Sequence, residues 1–203
     1  MELVSWAFSD VDDMKRFLNI TGDTQNDLLV NLINGSSSFM EMQTRRRLIA
    51  ADYDSATDKA NCWVDGNNSK IVFLKQYPIN SVSSVVVSGA TISAAEATDY
   101  YGSTGYVIYS DRGILFYDNG FDTGIQNVRV SYNAGYAKTT REYYELQELC
   151  RSLVSRVYNT RDKLGFKSET LMNYQYTMAD IKAWDKAGNI QVVLNRYKRK
   201  ITR

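Results

Sequence analysis

Histidine is missing from all 203 positions, and proline occurs once, at Pro78. Without histidine the chain lacks the commonest general base, nucleophile activator and metal ligand. With one proline and no Ser/Gly-rich linker, separate beads on a string are not expected. A single core at this length would bury roughly 70% of the unfolded surface. The two cysteines, Cys62 and Cys150, show neither metal spacing nor the density of a disulfide framework. Both read as reduced thiols in a cytosolic assembly setting. No apolar run approaches the ~18 residues of a membrane span. The opening MELVSWAFSDVDDM lacks the basic start and apolar core of a secretion signal. There is no GxxxxGK(S/T) phosphate loop and no GxSxG elbow. No enzyme, cofactor, metal or membrane partner is expected.

Lys and Arg total 24 against 23 Asp and Glu, a net charge of +1, so the chain as a whole is no nucleic-acid sponge. Tyrosine is plentiful at 15 residues, which suits strands and interfaces because its ring offers area while its hydroxyl stays wet.

Ser9, followed by Val11, Met14, Phe17 and Leu18, predicts a short capped helix, with Asp10, Asp12 and Asp13 at its positive end. Residues 23–49 predict a second helix. One stripe on it is Leu28, Leu32, Gly35, Phe39 and Met42; a second is Leu29, Ile33, Ser36 and Met40. Gly35 would let a neighbour approach closely. From 62 to 136 the habit turns to β, with strands expected at 70–74, 81–87, 106–109, 113–117 and 128–132. Turns fall at Asp65-Gly66, Asp111-Arg112-Gly113 and Asn119-Gly120, and Gly102-Ser103-Thr104-Gly105 reads as a turn too. Contiguous strands imply an antiparallel sheet or small barrel. In VRVSYNAGYAKTTREYYELQELC the period changes from two to helical across a corner at Asn133-Ala134-Gly135-Tyr136.

The expected fold is therefore α+β: a short N-terminal helix and two long helices forming a helical core, an inserted antiparallel β-sheet, and an extended C-terminal arm. As one domain, 1–203, it divides into helices at 8–50, the β region at 61–134, a core helix at 138–164 and the arm at 165–203.

Asp10, Asp12 and Asp13 could form a carboxylate cluster, but helix N-terminal charge is the simpler account. Asp52, Asp54 and Asp58 are evenly spaced yet lack the glycine and terminal glutamate of a calcium loop. Arg45, Arg46 and Arg47, taken as helical, span more than half the circumference, so they cannot all face one partner. A solvated helix end, pairing with carboxylates of a neighbouring subunit, and contact with passing DNA are the readings, in that order. The basic end (Arg196, Lys198, Arg199, Lys200 and Arg203) interleaves with Ile190, Val193, Leu194 and Tyr197. It reads either as a small surface helix with a frayed tail or as an arm that docks on a partner.

Six stretches in order carry a family resemblance. Asp27-Leu28-Leu29 through Thr44-Arg45-Arg46-Arg47-Leu48 is similar to a first long helix ending in an arginine-rich turn. VFLKQYPI (72–79) with Ser81-Val82-Ser83-Ser84-Val85 resembles a strand, Tyr-Pro corner and strand. VRVSYNAGY (128–136) resembles the strand entering the last core helix, and Leu153 through Arg161-Asp162-Lys163-Leu164-Gly165 that helix's end. Ser168-Glu169-Thr170-Leu171 with Tyr174 and Tyr176, and Leu194-Asn195-Arg196-Tyr197-Lys198-Arg199, resemble the segments that follow. Together they resemble the head-to-tail connector (head-completion adaptor) proteins of tailed bacteriophages. Lys138-Thr139-Thr140 departs from the proline often found before the last helix, and Met172 from a common glycine. Trp184-Asp185-Lys186-Ala187-Gly188-Asn189 looks like added length.

The resemblance implies a homo-oligomeric ring, typically dodecameric, bound beneath the portal protein in the virion neck, after assembly in the host cytoplasm. Such a ring extends the DNA channel, helps retain the packaged double-stranded DNA without reading its sequence, and docks the tail or stopper protein. Candidate subunit-interface residues are Arg45, Arg46, Arg47, Arg151 and Arg156, pairing with Glu142, Glu145, Glu148 or Asp162. Candidate portal-docking residues of the arm are Tyr174, Tyr176, Ile181, Trp184, Ile190, Val193, Leu194, Tyr197, Lys198 and Arg199. The competing readings are a tail-completion or stopper protein, a DNA-binding component of the packaging machinery, and, furthest off, a tail-associated hydrolase.

Overall fold

Asp10 turns the chain into its first helix. With an extended backbone, it accepts a hydrogen bond from the Asp13 amide at 2.7 Å and caps α1 (Val11–Leu18). Ser9, the cap expected from sequence, instead donates its hydroxyl to Asp13 Oδ2 at 2.6 Å. The computed structural model describes residues 2–95, 105–161, 168–171, 174–177 and 190–199.

The second helix, α2 (Asn26–Thr44), is shorter than the expected 23–49. It stops because Arg45 takes a left-handed conformation, φ 57°, and the Arg45 and Arg46 amides return to Met42 and Glu41 carbonyls. Only one of its two apolar stripes is core: Leu29, Ile33, Ser36 and Met40 are buried, with Val30, Ser37 and Thr44. Phe39 and Met42 of the other stripe are exposed, and a side chain at Gly35 would meet nothing within 4 Å. The close neighbour expected at Gly35 is therefore not supplied by this chain among the described residues.

Of the later elements, α4 (Arg141–Thr160) turns Tyr143, Leu146, Leu149, Cys150 and Val154 inward at helical spacing. Strands β9 (Ser168–Leu171) and β10 (Tyr174–Thr177) pair antiparallel, and α5 (Ile190–Tyr197) buries Leu194 and Tyr197. These elements with α1 and α2 belong to one compact unit, made of residues 1–46 and 141–203. Its fully buried side chains include Phe8, Met14, Leu29, Ile33, Met40, Leu146 and Leu194.

Residues 47–140 form a second compact unit. Its elements are β1 (Ala51–Tyr53), the one-turn α3 (Lys59–Cys62), β2 (Trp63–Gly66), β3 (Ser69–Phe73), β4 (Ile79–Val87), β5 (Ala90–Ile92), β6 (Tyr106–Tyr109), β7 (Ile114–Phe121) and β8 (Gly124–Ala134). They build two antiparallel sheets. One has the order β1-β8-β4-β5, with β2 also on β8; the other is β3-β7-β6. The chain is thus α+β, as its pattern predicts. Cys62, Val72, Val85, Leu115, Phe121, Val128, Val130 and Tyr132 centre the core of this unit.

The corner at its exit is built on Gly135, at φ 115°. A Cβ there would sit 2.6 Å from the Ile49 carbonyl oxygen, so only glycine lets the two backbones meet. Tyr136 then donates its amide to Leu48 O at 2.7 Å and accepts from the Ala50 amide at 3.0 Å.

Candidate functional site

The carboxylates that could suggest chemistry are committed to local structure. Asp54 Oδ1 accepts from the Ala56 amide, and Asp58 caps α3 by accepting from the amide and side chain of Asn61. Asp52 accepts from Asn133 Nδ2 at 2.7 Å. Both thiols are buried, and desolvation pushes Cys62 and Cys150 up to about 11. Among the described residues no three His, Cys, Asp or Glu side chains are grouped to hold a metal ion.

In the helical unit the main ionic cluster is Asp13 with Arg151. Arg151 Nη2 and Nε donate to the two Asp13 oxygens at 2.6 and 2.8 Å, and Arg151 also pairs with Glu148 one turn earlier. Burial disfavours the Asp13 charge, but hydrogen bonds from Arg151 and Ser9 and the Arg151 charge outweigh it, lowering its pKa. The Asp13 bond leads the causes that raise the pKa of Arg151. Of the carboxylates at the first helix, then, Asp13 turns inward, where the sequence suggested only helix-end charge.

The proposed interface arginines are dispersed. Arg45 is exposed at the end of α2 rather than within it. Arg46 is 5% exposed, its Nε donating to Tyr197 O at 2.7 Å. Arg47 is exposed, and its amide donates to Gln76 Oε1. Arg156 is half-buried and Glu142 exposed. Glu145 is held by Arg196 and the Tyr197 hydroxyl. Asp162 lies outside the described residues.

Within the arm, Leu194 and Tyr197 are buried, and the Arg199 amide donates to Thr44 O. Ile190, Val193 and Arg199 are half-buried, and Lys198 is exposed. Tyr174 and Tyr176 lie on β10. Ile181 and Trp184 fall outside the described residues.

The β unit shows two contrasting outer faces. On the first sheet the face opposite Val128, Val130 and Tyr132 is polar: Asn80 and Asn133 hydrogen-bond in series to Asp52, and Ser83 reaches Ser131 O. There Arg129 lies 4.3 Å and Lys59 4.9 Å from the Trp63 ring centre. On the second sheet the register aligns Ile71–Phe116–Val107 and Phe73–Ile114–Tyr109 as two cross-strand rows. They stand opposite the inward row Val72–Leu115–Ile108, and Ile71, Phe73 and Tyr109 remain 36, 44 and 47% exposed. That face was missed by sequence reasoning. Its signal was present: KIVFL, YVIY and ILFY are apolar at both parities, the mark of a strand covered on both sides.

Among the described residues, then, the candidate arginines are dispersed, Asp10 and Asp58 serve as helix caps, and the outer rows of β3, β7 and β6 stay partly exposed. The profile of the family described as head completion protein matches residues 7–184. The chain belongs to that family. A chain from a structure described as the neck of an empty GTA particle, computed with C6 symmetry, has a similar fold. Its TM-score is 0.53 at 14% identity, with 100% of this chain and 95% of that chain covered. No curated protein matches.

Proposed function

We propose that this head completion protein is a structural adaptor of the head-to-tail neck of a phage-like particle, and that copies of it close into a ring. Family membership carries the reading, and the partly exposed apolar rows of β3, β7 and β6 support it. A ring of identical copies needs two different, complementary patches on every subunit. An apolar, aromatic-rich patch edged by the Lys70–Asp118 ion pair suits one of them. The C6 symmetry applied to the related neck is consistent with such an arrangement.

In this reading the chain catalyses nothing. The ring sits against the portal protein, leaves a channel for double-stranded DNA and offers its other side to the tail or stopper. DNA passing such a channel is contacted without base readout, so the free subunit binds DNA weakly. Imaging particles with the protein labelled is the test. Label confined to the neck, in several symmetric copies, is expected; label in the capsid shell or tail tip, or a single copy, would overturn the adaptor ring.

A further inference from the structure

Three turns of the β unit, 67–68 between β2 and β3, 88–89 between β4 and β5, and 122–123 between β7 and β8, meet at one end together with the first residues of β8, 124–127. Asn127 ties them together. Its Oδ1 accepts from the Gly66 amide at 2.8 Å, and its Nδ2 donates to Asp122 O at 2.8 Å and Ser88 Oγ at 3.4 Å. The Ser88 hydroxyl in turn donates to Asp122 Oδ2. Packing is so close that a Cβ on Gly66 would lie 1.8 Å from the Asp122 carbonyl oxygen.

The next residue back, Gln126, is held at φ 52°, an unfavourable backbone for a side chain of its kind, while its amide donates to Asp65 Oδ1 at 2.7 Å. All this order presents Ile125 to water. It is 88% exposed, the most exposed large apolar side chain among the described residues. A lone surface isoleucine is ordinary. Here, though, side chains from neighbouring turns and an unfavourable φ at Gln126 fix the start of β8 that carries it, and such a backbone persists only where its surroundings impose it. The fixed apolar side chain also loses little entropy on docking.

Charge indicates what it meets. The turns hold Asp122, with Asp65 on the strand just before them, both exposed, and no Lys or Arg stands at 65–68, 88–89 or 122–127. We propose that Ile125 is a docking knob which enters an apolar pocket rimmed by Lys or Arg on an adjoining protein of the particle, distinct from this chain. Attraction between the acidic collar and a cationic rim would orient the approach, and burial of the isoleucine would hold it. The proposal rests on the neck reading.

The test uses the full-length protein in particles, with the photo-crosslinker benzoylphenylalanine at position 125. Mass spectrometry should find a crosslinked peptide from another particle protein, at an apolar site with neighbouring Lys or Arg. Crosslinks solely to copies of this chain, to a site without cations, or none at all would overturn it. In parallel, Ile125→Asp should cut the yield of joined particles at least tenfold, while Ile125→Val stays within twofold of wild type. Oligomer size and Tm should be unchanged in both, since the side chain supports no core. Asp65→Asn combined with Asp122→Asn should lower the yield severalfold, and an unaltered yield would remove the cationic rim. The two readings fail separately: wild-type label absent from the neck sinks the adaptor, whereas label in the neck with normal joining by Ile125→Asp sinks only the knob.

Discussion

Arg151 holds Asp13 in a two-pronged grip across 138 positions of sequence, with donor-acceptor distances of 2.6 and 2.8 Å. Their side chains are 21 and 12% exposed, so the pair is largely out of water and acts as a structural rivet between α1 and α4. Removing one partner leaves the other charge poorly compensated. Asp13→Ala should destabilise the helical unit by about 3 kcal/mol, and urea unfolding would measure it. A loss near zero would mean that water replaces the bond without cost.

The same pair sets an acid limit. In the folded chain the Asp13 carboxyl is held below the ordinary aspartate value of 3.8, because the bonds and charge from Arg151 and the Ser9 hydroxyl outweigh its burial. Its contribution is therefore complete above that value and fades as pH falls through the lower folded one. Wild type should lose stability steeply below about pH 4, and Asp13→Asn should flatten that part of the curve. Identical acid profiles for the two would exclude Asp13 as the titrating group.

The apolar sheet face should report on assembly. Phe73 and Tyr109 are exposed and stand in one row with Ile114, so Phe73→Lys with Tyr109→Lys should leave the monomer folded. If the face is buried between copies, sedimentation should shift from oligomer to monomer. An unchanged oligomer would assign the face to another partner or to none.

Leu194 is 1% exposed on α5, so the C-terminal helix is part of the core rather than a loose tail. Leu194→Ala should cost about 2–5 kcal/mol. A thermal melt within a degree of wild type would show that α5 detaches without consequence.

Native Cys62 and Cys150 should resist thiol reagents at pH 8, because burial holds both near 11 and few thiolates are present. Both should react once urea unfolds the chain. Rapid labelling of either in the native protein would reveal local opening.

Much of this architecture is readable from pattern because period encodes face. Val128, Val130 and Tyr132 alternate, Leu146, Leu149 and Val154 recur at helical spacing, and β8 and α4 follow directly. The short strands β1, β2 and β5 were missed, since so few positions establish no period, and Asp65-Gly66 and Asn119-Gly120, expected as turns, lie within β2 and β7. Arg45, Arg46 and Arg47 look helical in sequence, but Arg45 adopts a left-handed turn without the customary glycine. Asp13 was read only as helix N-terminal charge because its inward turn depends on Arg151, far along the chain. On α2 two stripes are equally apolar in sequence, and only tertiary packing selects Leu29, Ile33 and Met40 over Leu28, Phe39 and Met42.

The bridge between Ile49 and Tyr136 fastens the way into the β unit to the way out. A module whose two ends are stapled together behaves as a cassette. It can be lifted out at 47 and 140 and replaced by a short connector, or rejoined elsewhere as a circular permutant, without either end having to travel. Such a layout makes the sheet module exchangeable as a block, while the residues at 1–46 and 141–203 keep a core of their own.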